Sequence, residues 1–292
     1  MENSTFTFHF EIRNSKFSTN PLQFSEVPDV LPYFACVLGA VIGSFLNVVI
    51  HRYPRGESIA FPPSHCPNCN AAIKAYDNIP VVSYLILLGR CRNCRDPISP
   101  RYPLVELANA LFYLAAYLQT GPTIGFVLVA AIVSMTLVLI FIDLDIQILP
   151  DVIDLPGIGV GFAIGALELG AIVPTLTLSA SLIDSAVGAL VGAAILLAIG
   201  LAYRLVRRVE GMGLGDVKMM AMIGACVGWE WIFPLLLIAS VTGAITGLIV
   251  ASRSDRGMQV PLPFGVFLGL ATLVVIFFGP TLTGWYALLL LR

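Results

Sequence analysis

The sequence predicts an all-α polytopic membrane protein of about eight transmembrane helices carrying one small cysteine-rich loop module, and three observations lead there. Of 292 residues, 58% are hydrophobic and only 12% charged, and the mean hydropathy of +0.90 lies outside the range of soluble domains. Apolar runs recur at the length of roughly 20 residues that a bilayer core of about 30 Å requires of a helix. Most Lys and Arg residues cluster in or beside a few of the connections between those runs.

Clear spans are predicted at 31–50, 104–120, 124–142, 152–173, 178–203 and 231–251, with weaker ones at 217–229 and 262–281. The first is expected to stay in the mature protein. Residues 1–30 before it are mostly polar, with no basic n-region and no small-residue cleavage site. This organisation divides the chain into an N-terminal tail (1–30), a first transmembrane helix (31–50), a loop (51–103) and a membrane domain (104–292).

Arg52, Arg55, Lys74, Arg90, Arg92, Arg95 and Arg101 lie in the loop after the first span; Arg204, Arg207, Arg208 and Lys218 lie in a second connection, and Arg253 and Arg256 in a third. The order of spans puts these three connections on one side, and the positive-inside rule makes that side cytoplasmic. Both termini then face outward. The intervening turns carry Glu168, Asp184 and Glu230 without Lys or Arg. The tail has Arg13 and Lys16 against four acidic residues, which is compatible with export.

Within the first loop, Cys66-Pro67-Asn68-Cys69 is followed after 21 residues by Cys91-Arg92-Asn93-Cys94. Paired CxxC turns hold structural zinc in knuckles and ribbons, because two thiolates from each turn close a tetrahedral site with no open position for water. In a reducing compartment the same cysteines do not persist as disulfides. Cys66, Cys69, Cys91 and Cys94 are therefore the predicted ligands of a structural Zn2+, which staples a loop too long to stay ordered unaided. His65 beside them is surplus to a four-cysteine set. Val81 to Leu88 is apolar but too short to span, so it is expected to lie on the membrane surface or to form the module's own core. Cys36 and Cys226 sit in apolar runs and read as small buried hydrophobes.

Ionisable residues at membrane depth are costly and mark function by default. Phe141-Ile142-Asp143-Leu144-Asp145 closes the span 124–142, and Gly213-Leu214-Gly215-Asp216-Val217-Lys218 opens the apolar segment after the second basic connection. The predicted topology puts both on one face. Taken alone, Asp216 after a glycine-rich turn reads as a helix cap, Asp151 after Pro150 as another, and Asp145 as solvated. Taken together, Asp143 and Asp216 are a candidate pair: two adjacent carboxyl groups share one proton, so one can activate water while the other protonates a scissile carbonyl. Gly211, Gly213 and Gly215 would allow close backbone approach or positive φ before the helix. Arg101 and Glu106 are expected to be interfacial anchors or a structural pair.

In these stretches the chain resembles the bacterial type IV prepilin peptidases, which are membrane aspartic peptidases of the GxGD type, from residue 36 to about 270. The resemblance rests on Gly43-Ser44-Phe45-Leu46-Asn47 through His51-Arg52, both CxxC pairs, Asn78-Ile79-Pro80-Val81-Val82-Ser83-Tyr84-Leu85, Arg101-Tyr102-Pro103-Leu104-Val105-Glu106, the Asp143 stretch and the GxGD at 213–216. It implies Asp143 and Asp216 as the catalytic dyad. It also implies prepilins or pseudopilins as substrates, cleaved between a basic leader and a hydrophobic helix at the cytoplasmic face of the bacterial inner membrane. N-methylation of the new N-terminus with S-adenosylmethionine is implied too; no soluble-type glycine fingerprint marks where that cofactor would bind. The expected partners are such substrates and membrane lipid, with no nucleic acid. The alternative from another class is a non-enzymatic assembly or transport protein with a zinc docking loop. Transport would favour ionisable residues near mid-span and repeated halves, and neither is evident. A presenilin-type protease shares GxGD, but the short connection after Asp143 and the cysteine module favour the prepilin class.

Overall fold

The computed structural model describes residues 30–208, 213–253 and 262–290, and among them every regular element is a helix. The tail before residue 30, Gly211 and Arg256 lie outside the described residues. In chain order the helices are α1 (Leu31–Arg52), α2 (Val82–Ile86), α3 (Arg101–Thr120), α4 (Ile124–Ile146), α5 (Asp151–Ala166), α6 (Leu169–Ile172), α7 (Leu182–Arg207), α8 (Leu214–Val227), α9 (Ile232–Arg253) and α10 (Phe264–Leu290).

Five of them, α1, α4, α7, α9 and α10, are long and apolar enough to cross a membrane. The other three long helices stand where spans are expected but differ from the simple pattern. At 1.5 Å per residue, α5 and α8 reach only about 24 and 21 Å, against a core of about 30 Å. The apolar run 152–173 breaks at Glu168, which takes a left-handed conformation with φ 52°. Helix α3 is 20 residues long but is diluted by Arg101, Glu106, Asn109 and three tyrosines.

Local signals set the ends. Pro32 lies in the first turn of α1, where a missing N–H costs nothing. The Ser181 hydroxyl caps α7 by accepting the Asp184 N–H at 3.1 Å. Helix α4 stops at Gln147, which turns left-handed with φ 55° and returns its N–H to the Asp143 carbonyl.

Helix α4 is the hub, packed on α1, α3, α5 and α10, while α8 packs on α5, α7 and α10. Small residues allow the close approaches on which membrane helix packing depends: Gly188 of α7 meets Gly224 of α8 backbone to backbone, and Gly161 of α5 meets Ala225 of α8. A buried polar chain ties α1, α3 and α4 together. Asn109 donates to the Gly39 carbonyl at 2.7 Å, accepts from the Ser134 hydroxyl at 3.1 Å, and Ser134 pairs with Tyr113 at 3.0 Å. The C-terminal ends of α1 and α4 and the N-terminal ends of α3, α5, α8 and α10 gather at one end of the bundle, next to the cysteine loop. The opposite end carries Asp184 and Trp229, joined by a hydrogen bond.

Candidate functional site

Asp143 sits one turn from the end of α4 and is only 4% exposed. Its Oδ2 accepts the Val266 N–H at 3.0 Å, so the carboxylate of one helix end is held against the N-terminus of α10. Gly265 makes this possible, because a Cβ there would lie 2.9 Å from Asp143 Oδ2. Asp216 occupies the third position of α8, half-buried, and its carboxylate reaches back to the N–H of Gly213, the residue before the helix. The capping role is real and coexists with a second one. Asp216 feels the charge of Asp143, so helices α4 and α8 bring the two carboxylates within electrostatic reach of each other. Leu149, in the short α4–α5 connection, lies against both Gly215 and Gly265 and forms a common apolar wall beside the two acids.

Gly213 and Gly215 do not use positive φ. What α8 requires of Gly215 is space, since a Cβ would sit 2.9 Å from the Leu149 Cβ.

The neighbouring acids separate cleanly from this pair. Asp145, two residues after Asp143, is on the opposite face of α4, because two residues turn a helix by roughly 200°; there it takes two hydrogen bonds from Arg101 at 2.7 and 2.8 Å. Asp151 pairs with Lys218 at 2.7 Å instead of capping α5. Lys218 therefore serves α5, and Arg101 and Glu106 are not each other's partner. The Glu106 carboxylate, 8% exposed, accepts the Val81 N–H at 2.7 Å and anchors the loop to α3.

The loop carries the second site. The Sγ atoms of Cys66, Cys69, Cys91 and Cys94 all lie within 4.8 Å of one another, and the Cys66–Cys94 pair is 3.8 Å apart. Four sulfurs at about 2.3 Å from a common centre form a tetrahedron with edges of about 3.8 Å, so the set fits a tetrahedral metal ion. His65 is not among the clustered ligands. N–H donors favour thiolate at one cysteine of each knuckle, while burial and the adjacent cysteines push the Cys94 thiol up to about 11. The Ala71 N–H and the Asn93 side chain bring the Cys69 thiol down to about 6, and the N–H groups of Cys94 and Asn93 lower that of Cys91. Helix α2 and the turn after it leave Leu85, Ile86 and Leu88 exposed, so this segment is not the core of the module. Cys226 is fully buried among apolar side chains, and Cys36 is partly so.

Residues 37–120 match the family described as Bacterial Peptidase A24 N-terminal domain, and residues 110–248 match the Type IV leader peptidase family. The chain is 36% identical over 285 residues to a protein of Burkholderia pseudomallei (strain 1026b), covering 88% of this chain and 87% of that one. A protein of Aeromonas hydrophila is 37% identical over 280 residues, with 87% and 93% covered. One of Pseudomonas aeruginosa is 38% identical over 280 residues, with 86% and 91% covered. All three bear the name prepilin leader peptidase/N-methyltransferase. The chain belongs to the type IV leader peptidase family. No solved structure matches it.

Within that family setting, three contributions escape a reading of the sequence. Gly265 and Val266 act on Asp143 through backbone and space, so no side chain advertises them. Their one signal is a glycine at the start of the last apolar run. Asp154, one turn into α5, is fully buried, and neither of its carboxyl oxygens has a hydrogen-bond partner among the described residues. It feels the charges of Asp151, Lys218 and Asp216. Its one sequence signal is the three-residue spacing from Asp151, which puts both acids on one face of α5.

Proposed function

We propose that the chain is a membrane aspartic endopeptidase that removes the leader from prepilins and related pseudopilins, with Asp143 and Asp216 as its catalytic dyad. The observation that supports this reading is that Leu149 lies against both Gly215 and Gly265, so the end of α4 and the start of α8 place Asp143 and Asp216 beside one apolar wall, where Asp216 feels the charge of Asp143. One carboxylate takes a proton from water as the water oxygen bonds to the scissile carbonyl carbon; the other gives its proton to the carbonyl oxygen. Collapse of the tetrahedral adduct breaks the C–N bond, and the proton taken from water passes to the leaving amine. Leu149 and the α10 N-terminus keep bulk water from one side of the pair.

We divide the chain accordingly into a tail (1–30), first helix (31–50), metal loop (51–103) and peptidase bundle (104–292), a division supported by the position of the cysteine module between α1 and α3. We assign Cys66, Cys69, Cys91 and Cys94 to a structural Zn2+, supported by the all-sulfur, tetrahedral spacing. The bundle end that holds both sites is the one with the Lys and Arg residues, which supports a cytoplasmic orientation in the bacterial inner membrane. There a substrate's basic leader would meet the acids as its hydrophobic helix enters lipid. The exposed Leu85, Ile86 and Leu88 are suited to contact lipid at the same level. For the N-methylation in the relatives' name, S-adenosylmethionine supplies the methyl group; the dyad serves the cleavage step.

Purified chain in detergent, incubated with a prepilin and S-adenosylmethionine, is expected to convert it to a product lacking the leader and carrying one added methyl, read by mass spectrometry. A prepilin of unchanged mass would contradict the reading. A leaderless product without the methyl would restrict the chain to peptidase activity.

A further inference from the structure

Arg101 is the first residue of α3 and the point at which the cysteine loop re-enters the bundle. The second knuckle leads straight to it: the Ile98 N–H bonds the Gly89 carbonyl across that knuckle, and only Ser99 and Pro100 follow before the helix. From there its guanidinium grips the last turn of α4 at three points. Nη1 donates to both oxygens of Asp145 at 2.8 and 2.7 Å, Nη2 donates to the Phe141 carbonyl at 3.2 Å, and the group lies 5.0 Å from the centre of the Phe141 ring.

Phe141 and Asp145 are four residues apart, the two ends of a single helical hydrogen-bonded turn. Asp143 stands midway between them on the opposite face, turned to the α10 N-terminus. Arg101 therefore brackets the turn that carries Asp143 through Phe141 and Asp145, on the face away from Asp143. An isolated exposed ion pair would be worth little. Here Nη1 holds both carboxylate oxygens while Nη2 takes the Phe141 carbonyl, and Arg101 and Asp145 are only 28% and 34% exposed; the planar guanidinium fixes the two nitrogens relative to each other, which a single ammonium cannot do.

We propose that Arg101 is a positioning residue, which transmits the placement of the cysteine module to the turn of α4 that presents Asp143. This rests on the reading of Asp143 as part of the reacting pair.

The test uses the full chain in detergent, a purified prepilin, and hydrogen exchange of the peptide covering residues 139–147. In R101A, kcat is expected to fall about tenfold to a hundredfold, the penalty of a misplaced reacting group, with KM little changed. Amides of the last α4 turn should exchange faster while those of α7 stay as in the wild type. R101K, which keeps a charge but not the fork, should fall between. D145N should match R101A, and the double variant should be no slower than either single one, since both act through one contact. Stripping zinc should speed exchange of the same α4 amides in the wild type and add nothing in R101A. Wild-type kcat and exchange in R101A would overturn the inference, as would additive losses in the double variant. If R101A fails to fold, R101K decides: wild-type kcat together with wild-type exchange there overturns it equally. D143N on the same preparation separates the two levels. If D143N cleaves normally, the dyad reading fails; if it is inactive while the Arg101 variants are normal, only the link through Arg101 fails.

Discussion

The two ends of the bundle treat the same residue type in opposite ways. At the far end, the Asp184 carboxylate accepts the Ser179 hydroxyl at 3.1 Å, the Ala180 N–H at 3.0 Å and the Trp229 N–H at 3.3 Å. Its acceptor capacity is spent on fastening the start of α7 to the turn before α9. At the module end, Asp143 and Asp216 each hold helix-end N–H groups on one side, and Asp216 feels the charge of Asp143. Deeper still, Asp154 has no hydrogen-bond partner at all among the described residues. Carboxylates saturated with backbone donors are structural; carboxylates left in deficit beside one another retain capacity for a substrate or a proton. That contrast separates the Asp184 knot from the proposed dyad more sharply than burial does, since Asp184 and Asp216 are both half-buried.

Five substitutions break or sharpen it. The largest effect is expected from D143N, which should lower cleavage of a prepilin by at least about a thousandfold, as loss of a central proton-transfer group does; D184N, measured alongside, should keep kcat close to wild type. Next is G265A. Its methyl would fall 2.9 Å from Asp143 Oδ2, so Asp143 must shift, and cleavage should drop about tenfold to a hundredfold with little change in thermal midpoint. At the structural end, D184A strands three donors and should cost about 1–3 kcal/mol each where they are buried, lowering the midpoint of thermal unfolding in detergent. The smallest effect is of opposite sign. D154V removes a buried carboxyl with unsatisfied oxygens and should raise stability by about 1 kcal/mol, where a fall in the midpoint would mean that Asp154 has a partner after all.

Much of this was legible in the sequence for definite reasons. Membrane helices announce themselves because lipid demands long apolar runs, and the four cysteines because a tetrahedral thiolate site demands tight turns in pairs. Asp143 and Asp216 were visible because charge is scarce in such a chain. The partners were not. Nothing local distinguishes Asp145, bound to Arg101 from 44 residues away, from an acid left in solvent. Lys218 likewise meets Asp151 across 67 residues, because α5 and α8 lie side by side only in the folded bundle. Gly265 and Val266 contribute a backbone N–H and the absence of a methyl, neither of which composition or hydropathy registers. Hydropathy also overruns α5, because the apolar run 152–173 hides the left-handed turn at Glu168 that ends the helix early.

The central claim is that Asp143 and Asp216 work as one unit, and the most direct measurement compares D143N, D216N and the double variant in single-turnover cleavage of a prepilin. Residues that act together lose their function together. Both single variants and the double are predicted to show the same low residual rate. A double variant slower by the product of the two single losses would contradict the account, and so would a single variant that retains the wild-type rate.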